Sequence, residues 1–258
     1  MSRIGSTRPA AETVAVWPAA SAVRQQVSAA GGQRDADASK MMEGAVAVPS
    51  EQSAPPLGDL RFRTLLGEAQ WSRLHPAVRR RFSKLLAPGE VALYRGKVVA
   101  TELSRVGRLL ALAARVIGAP LPLANGATGP AVVAVSEDRA LGGQSWVRMY
   151  ARAGRAPQVI HSAKRFRGPT GLEEHVGFGI GMSLSVAEED GALAFRSARY
   201  YVEFGGRRLW LPAALTPGRM TIVHREEADS SFSFHLTLDH PRLGRLIDQL
   251  ASFRDVPG

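Results

Sequence analysis

The sequence predicts an α+β domain with N-terminal helices, a curved and mostly antiparallel β-sheet of about seven to nine strands, and a C-terminal helix. Two periods and their punctuation predict it. Apolar residues recur at helical spacing up to Ile117, then at strand spacing from Val132 to about residue 240, and turn residues divide the second region at hairpin intervals.

Residues 1–57 are rich in Ala, Ser, Gly, Gln and Val and close on Ser53-Ala54-Pro55-Pro56. A segment of this kind buries too little apolar surface to offset its ordering entropy, so a disordered leader is expected, with 58–258 as the single domain. Pro9, Glu12 and Pro18 interrupt the apolar core that a signal peptide requires, and Met41 or Met42 offers an alternative start. Phe62, Leu65 and Leu66 have helical spacing. His75-Pro76 starts a second helix, proline at its first position and His75 as cap, with Val78, Phe82, Leu85 and Leu86 on one face. Val91–Val99 reads as a strand. Ser104 caps a helix whose buried stripe is expected to be Val106, Leu109, Leu110, Ala113, Val116 and Ile117, and Gly118 with Pro120 ends it.

Beyond Gly129 the strands begin at Val132. Residues 144–152 and 157–166 are expected to pair around a four-residue turn, Ala153-Gly154-Arg155-Ala156. That register sets Tyr150 opposite Val159, Arg148 opposite His161 and Trp146 opposite Ala163. Residues 174–187 and 192–204 form a second hairpin around Glu188-Glu189-Asp190-Gly191, with Gly179 opposite Tyr200. Glycine at every second position from Gly177 to Gly181 then needs an overlying ring, or clears room for a ligand. Shorter strands are expected near 208–213, 219–227 and 231–239. Pro241 opens the closing helix, with Leu243, Leu246, Ile247 and Leu250 inward.

Composition excludes several function classes. The chain has no cysteine, which removes disulfides, thiolate metal sites and cysteine nucleophiles, and fits a cytoplasmic location. The longest apolar run, Leu109 to Ala114, is flanked by Arg108 and Arg115, far short of the roughly 18 residues of a membrane-spanning helix. Of 33 Lys and Arg and 23 Asp and Glu, five of each lie in residues 1–57, so 28 basic and 18 acidic groups remain in the domain. That excess is nearly all arginine and scattered along the sequence, Arg79-Arg80-Arg81 being the densest run. Nucleic acid is therefore not the expected partner.

From Phe62 to the end, the chain resembles the bacterial family known as domain of unknown function 4166. The residues that carry the resemblance are Gly143-Gln144-Ser145-Trp146-Val147-Arg148-Met149-Tyr150, Ile160-His161-Ser162-Ala163-Lys164-Arg165-Phe166 and Gly168-Pro169-Thr170-Gly171-Leu172-Glu173-Glu174. The glycine strand Gly177–Met182, Leu211-Pro212, Thr216-Pro217-Gly218-Arg219, Asp239-His240-Pro241 and Phe253-Arg254-Asp255 extend it. The family has no established activity. Its members resemble single domains or appendages of NAD(P)-linked reductase-like chains, which implies an accessory role with a separate reductase-like partner.

Motif chemistry is sparse. Gly177-Phe178-Gly179-Ile180-Gly181 is neither G-x-G-x-x-G nor a phosphate loop, and no cofactor is expected. Ser162 beside His161 cannot act as a pair, because strand neighbours face opposite sides. Glu173 and His175 share a face, and with His161 they are the acid–base candidates should the protein be an enzyme. No third metal ligand is visible beside them, and a solvated strand end explains them as well. His224 and His235 are expected to face each other from neighbouring strands. The first hairpin is the more informative. One of its faces should carry Trp146, Arg148, Tyr150, Arg152, His161 and Arg165, suited to a small anionic, partly apolar ligand. The opposite face, with Val147, Met149, Ala151 and Ile160, should be core. Ligand binding through Trp146, Arg148, Tyr150, His161 and Arg165 is the leading expectation; an enzyme or a protein-interaction module is the alternative.

Overall fold

Alternation of inward and outward side chains runs through almost every segment after residue 91, and it builds a closed barrel. The computed structural model describes residues 58–118, 120–123, 126 and 128–256. The expected leader lies outside them. Among the described residues there are eleven strands: β1 Ala92–Leu103, β2 Gly129–Asp138, β3 Gly143–Arg152, β4 Arg155–Arg165, β5 Glu173–Gly177 and β6 Ile180–Glu189. Then come β7 Ala192–Phe204, β8 Arg207–Trp210, β9 Arg219–Glu226, β10 Phe232–His240 and β11 Gly244–Asp255. Each pairs antiparallel with the next, except that β7 pairs with both β8 and β9, and β11 returns to pair with β1. Ten of them close the wall, and β8 is a flap on β7.

The expected open α+β sheet is thus overturned. Strands mostly of eight to thirteen residues, nearly all in up-and-down order, twist enough to bring the last beside the first, and closure gives each wall strand a partner on both sides. The closing helix is overturned with it. The apolar residues between Leu243 and Leu250 fit either period over so short a run, and pairing of Leu103 with Ile247 and Ala100 with Leu250 makes the segment a strand. Leu246, Ile247, Gln249, Ala251 and Phe253 are its buried positions.

Helices close the two ends. At one end lie α1 Arg61–Leu66, α2 Glu68–Arg73 and α3 Pro76–Phe82. The His75 side chain accepts from the Ala77 amide, the cap the sequence predicts, but α3 stops at Phe82 and leaves Leu85 exposed. Phe62, Trp71, Val78 and Phe82 insert among Leu172, Leu184, Leu193 and Phe195 as an apolar plug. At about 1.5–3 kcal/mol for each large side chain buried, this plug is a main contributor to stability. Over the other end lies α4 Arg105–Ala113, capped by Ser104 as predicted and continued by a 3₁₀ turn, Ala114–Ile117. Its buried face is not the expected stripe. Gly107, Ala111 and Ala114 face the barrel, because Gly107 lies directly against the Leu246 carbonyl and a larger residue could not approach. Val106, Leu109, Leu112 and Val116 are left exposed.

Both hairpin registers differ from expectation. The first turns on two residues, Ala153-Gly154, with an irregularity at Tyr150/Arg152, and so pairs Trp146 with Ser162 and Arg148 with Ile160. The second turns on Asp190-Gly191 and pairs Tyr200 with Met182 and Tyr201 with Gly181. The glycine alternation is no continuous strand either: Phe178-Gly179 is a turn between β5 and β6.

Candidate functional site

A one-residue slip in β3–β4 sends every affected side chain of one strand to the other face. Trp146 is buried, and Tyr150 and Arg148 are half-buried, on the barrel's inner wall beside Ile160, Ser162 and Lys164. Val147 and Met149, expected as core, lie on the outer face, where Met149 is exposed. His161 goes with them. It lies on the exposed surface, its Nε2 2.9 Å from Ser145 Oγ, and does not meet Arg148. Arg165 occupies an outward position of β4, and its buried Nε makes no hydrogen bond among the described residues.

Neighbouring strands supply the groups the sequence reading missed. Lys164 pairs across to Glu174 on β5, and both side chains are nearly inaccessible. Ser162 Oγ donates to Glu174 Oε1 at 2.7 Å, Arg148 Nη2 donates to the same oxygen at 3.2 Å, and Lys164 Nζ donates to Oε2 at 3.2 Å. The lysine nitrogen also lies 4.7 Å from the Trp146 ring centroid and 5.5 Å from that of Phe195. Burial alone would raise the Glu174 carboxyl, but Lys164, Arg148 and the Ser162 hydroxyl outweigh it and hold the group at about 2. The Lys164 ammonium is pushed down, first by burial and then by Arg148, with Glu174 opposing.

Arg148 and Lys164 form part of the wall of an internal cavity of about 60 Å³, otherwise lined by Trp146, Tyr150, Phe195, Phe234 and Phe253 among others. Pro120 and Pro122 cover it from the α4 end. Gln158 ties that cover down, its Nε2 donating to the Leu121 carbonyl at 2.8 Å and its Oε1 accepting from the Leu123 amide at 3.3 Å. The arrangement is a mostly apolar chamber with five aromatic rings, beside which two cations converge on one carboxylate. Its polar side offers the N–H groups of Arg148 and Lys164, and the rest of its wall offers ring faces and aliphatic surface.

Glu173 and His175 do come together, on the outer face under β8. Glu173 is fully buried. Its Oε2 accepts from Arg208 Nη2 at 3.0 Å, Tyr201 OH at 3.1 Å and Arg167 Nε at 3.1 Å, and its Oε1 pairs with Arg208 Nη1. His175 Nε2 is 2.9 Å from the Tyr201 hydroxyl. Burial opposes ionisation of Glu173, but Arg208, Tyr201 and Arg167 hold it below the usual carboxylate range. Three of its four bonds fall on Oε2, and the two arginines and the tyrosine around this carboxylate oppose its taking up a proton as a base must. Burial, with Arg165 and Arg167 nearby, pushes the His175 imidazole down. The ring over the glycines is Tyr201 over Gly181, not Tyr200 over Gly179; a Cβ at Gly181 would strike the phenol.

His224 and His235 do not face each other. His224 pairs with Phe234 and points inward; His235 points outward, its Nε2 2.8 Å from Asp248 Oδ1. Among the described residues no group of three or more His, Asp or Glu could hold a metal. No described helix is long and apolar enough to cross a membrane.

A family model described as "Domain of unknown function (DUF4166)" matches residues 74–253. No curated protein and no solved structure matches the chain.

Proposed function

We propose that this chain, which belongs to the DUF4166 family, is a binding protein whose barrel interior holds a small, partly apolar carboxylate or similar anion. One observation supports it above the others: Arg148 and Lys164 share the single carboxylate of Glu174 on the wall of a covered aromatic cavity. The anion would meet Arg148 through paired N–H groups and return to Lys164 the counter-charge that burial opposes. Trp146, Tyr150 and Phe234 would pack its apolar part. His161 and Arg165 have no part in this reading, since both sit on outward positions of β4.

The experiment is a titration of aryl and short acyl carboxylates followed by Trp146 emission, in a background where Trp17, Trp71 and Trp210 are phenylalanine. Saturable quenching is expected. Arg148→Ala should weaken it by about tenfold to a hundredfold, as loss of a charge-assisted, desolvated contact does. A well-folded protein that binds none of these acids, or an Arg148→Ala variant that binds them equally well, would sink the proposal.

A further inference from the structure

The ten-strand topology sorts the connections between strands into two sets, one at each end of the barrel, and their chemistry differs. At the α1–α3 end acidic and basic groups are mixed and paired, as in Arg61 with Asp59 and Glu137. Arg81 with Glu226 and Asp255, and Arg73 with Glu188, repeat the pattern. At the α4 end the connecting segments 103–128, 153–154, 178–179, 205–206, 211–218 and 241–243 have no Asp or Glu; at the adjoining strand ends Glu203 pairs with Arg208 and Asp239 with Arg245, and Glu102 is exposed. Arg105, Arg108, Arg115, Arg155, Arg207 and Arg242 stand exposed there, and among the described residues none has a carboxylate partner. Arginines that look scattered in sequence are gathered by the fold onto one rim.

The same rim exposes large apolar side chains. Leu109 and Val116 of the α4 segment are 67% and 78% accessible, Phe178 in the β5–β6 turn 78%, and Phe204 at the β7–β8 turn 88%. Leu112 and Leu243 are exposed beside them. Phe178 is the more telling because it is strained as well. Phe178 and Gly179 form a two-residue turn with φ of 50° and 73°. That turn favours Asn-Gly, and a bulky residue in the left-handed region is an outlier that the surrounding fold must tolerate. The ring contributes little packing in return.

We propose that this rim docks on an anionic lipid surface. Separate apolar tips with unpaired arginines between them suit insertion below a layer of negative head groups. A protein partner would favour a continuous apolar patch, whereas these tips come from separate connections. The Pro120–Leu123 cover of the cavity lies at this end, so docking brings it against the lipid. The proposal stands whether or not the cavity takes a carboxylate.

The test is co-sedimentation of the full chain with vesicles of phosphatidylcholine and phosphatidylglycerol at about 3:1, against phosphatidylcholine alone. Binding to the acidic vesicles only, weakened by added salt, is expected. Phe178→Asn combined with Phe204→Ser should lower partitioning by about tenfold or more while the melting temperature is held or raised, because asparagine suits the turn. Absence of binding to acidic vesicles overturns the proposal. So does undiminished binding of the double variant, which would put the contact elsewhere in the chain. Self-association abolished by the same substitutions, without vesicle binding, would make the rim an interface between copies and also overturn it.

Discussion

His224 is 1% exposed, and among the described residues neither ring nitrogen has a hydrogen-bond partner. The rings of Phe82, Phe232 and Phe234 lie 5.2, 4.8 and 4.7 Å from it. Burial, with the Arg81 guanidinium adding repulsion, lowers its pKa from 6.5 to about 3. The unfolded imidazole takes a proton below 6.5; the folded one does not until about 3. Stability is therefore complete above 6.5 and is lost as the pH falls through that window. Each pH unit within it is worth about 1.4 kcal/mol, so acidifying to about pH 5 removes about 2 kcal/mol. For a domain of this size that corresponds to roughly 4–8 °C in melting temperature. The measurement is thermal melting from about pH 7.5 to 5 for the parent chain and for His224→Phe and His224→Leu. The variants should lose the His224 part of the slope. They should also cost little at neutral pH, since they remove two unpartnered polar atoms that burial penalises by about 1–3 kcal/mol. Equal slopes in parent and variants would refute the reasoning.

Further outcomes follow from the same packing. Glu174→Gln leaves two buried cations without their carboxylate and should cost about 3–5 kcal/mol in a urea melt. In the parent, because this carboxyl sits at about 2 instead of 4.5, its stabilisation is present above 4.5 and fades toward about 2, a slope the variant should lack. Gly179→Val should destabilise by more than about 2 kcal/mol, through a β-branched residue at positive φ and a clash with the Glu203 carbonyl; a neutral melt would contradict both. Gly107→Leu should detach α4, read as faster amide exchange across Arg105–Ala113 with the barrel strands unchanged.

What was legible in the sequence were features fixed within a few residues. His75 and Ser104 as caps, and the Asp190-Gly191 turn region, depend on local hydrogen bonds and glycine torsions. Register was not legible, because a two-residue and a four-residue turn can be drawn on the same Ala-Gly-Arg-Ala stretch, and one residue decides whether His161 or Ser162 faces the chamber. Trp146, Arg148 and Tyr150 could be grouped because they alternate on one strand. Lys164 and Glu174 could not be added, since their meeting depends on pairing between β4 and β5. The α4 stripe was misread for a related reason. Periodicity identifies an apolar face but not which face the tertiary structure covers, and Gly107 chose the smaller one.

The segment from Ile160 to Glu174, the most distinctive part of the family resemblance, does two jobs because strand neighbours alternate through the wall. Ser162, Lys164 and Glu174 point inward and bond to one another, with Lys164 lining the chamber. Glu173, one residue from Glu174, points outward and holds Arg208 and Tyr201. That contact fastens β8 to the outside of the barrel just where β7 leaves β9, whose last shared pair is Arg196 with Thr221. Beyond this fork, Ser197 Oγ accepts from the Met220 amide and the Tyr200 carbonyl from the Leu211 amide, so side-chain and loop contacts replace the missing ladder. The two adjacent glutamates are thus both structural anchors held ionised, one for the flap and one for the chamber. An acid–base role would require one of them to take up a proton near neutral pH, and the arginines gathered around each oppose that.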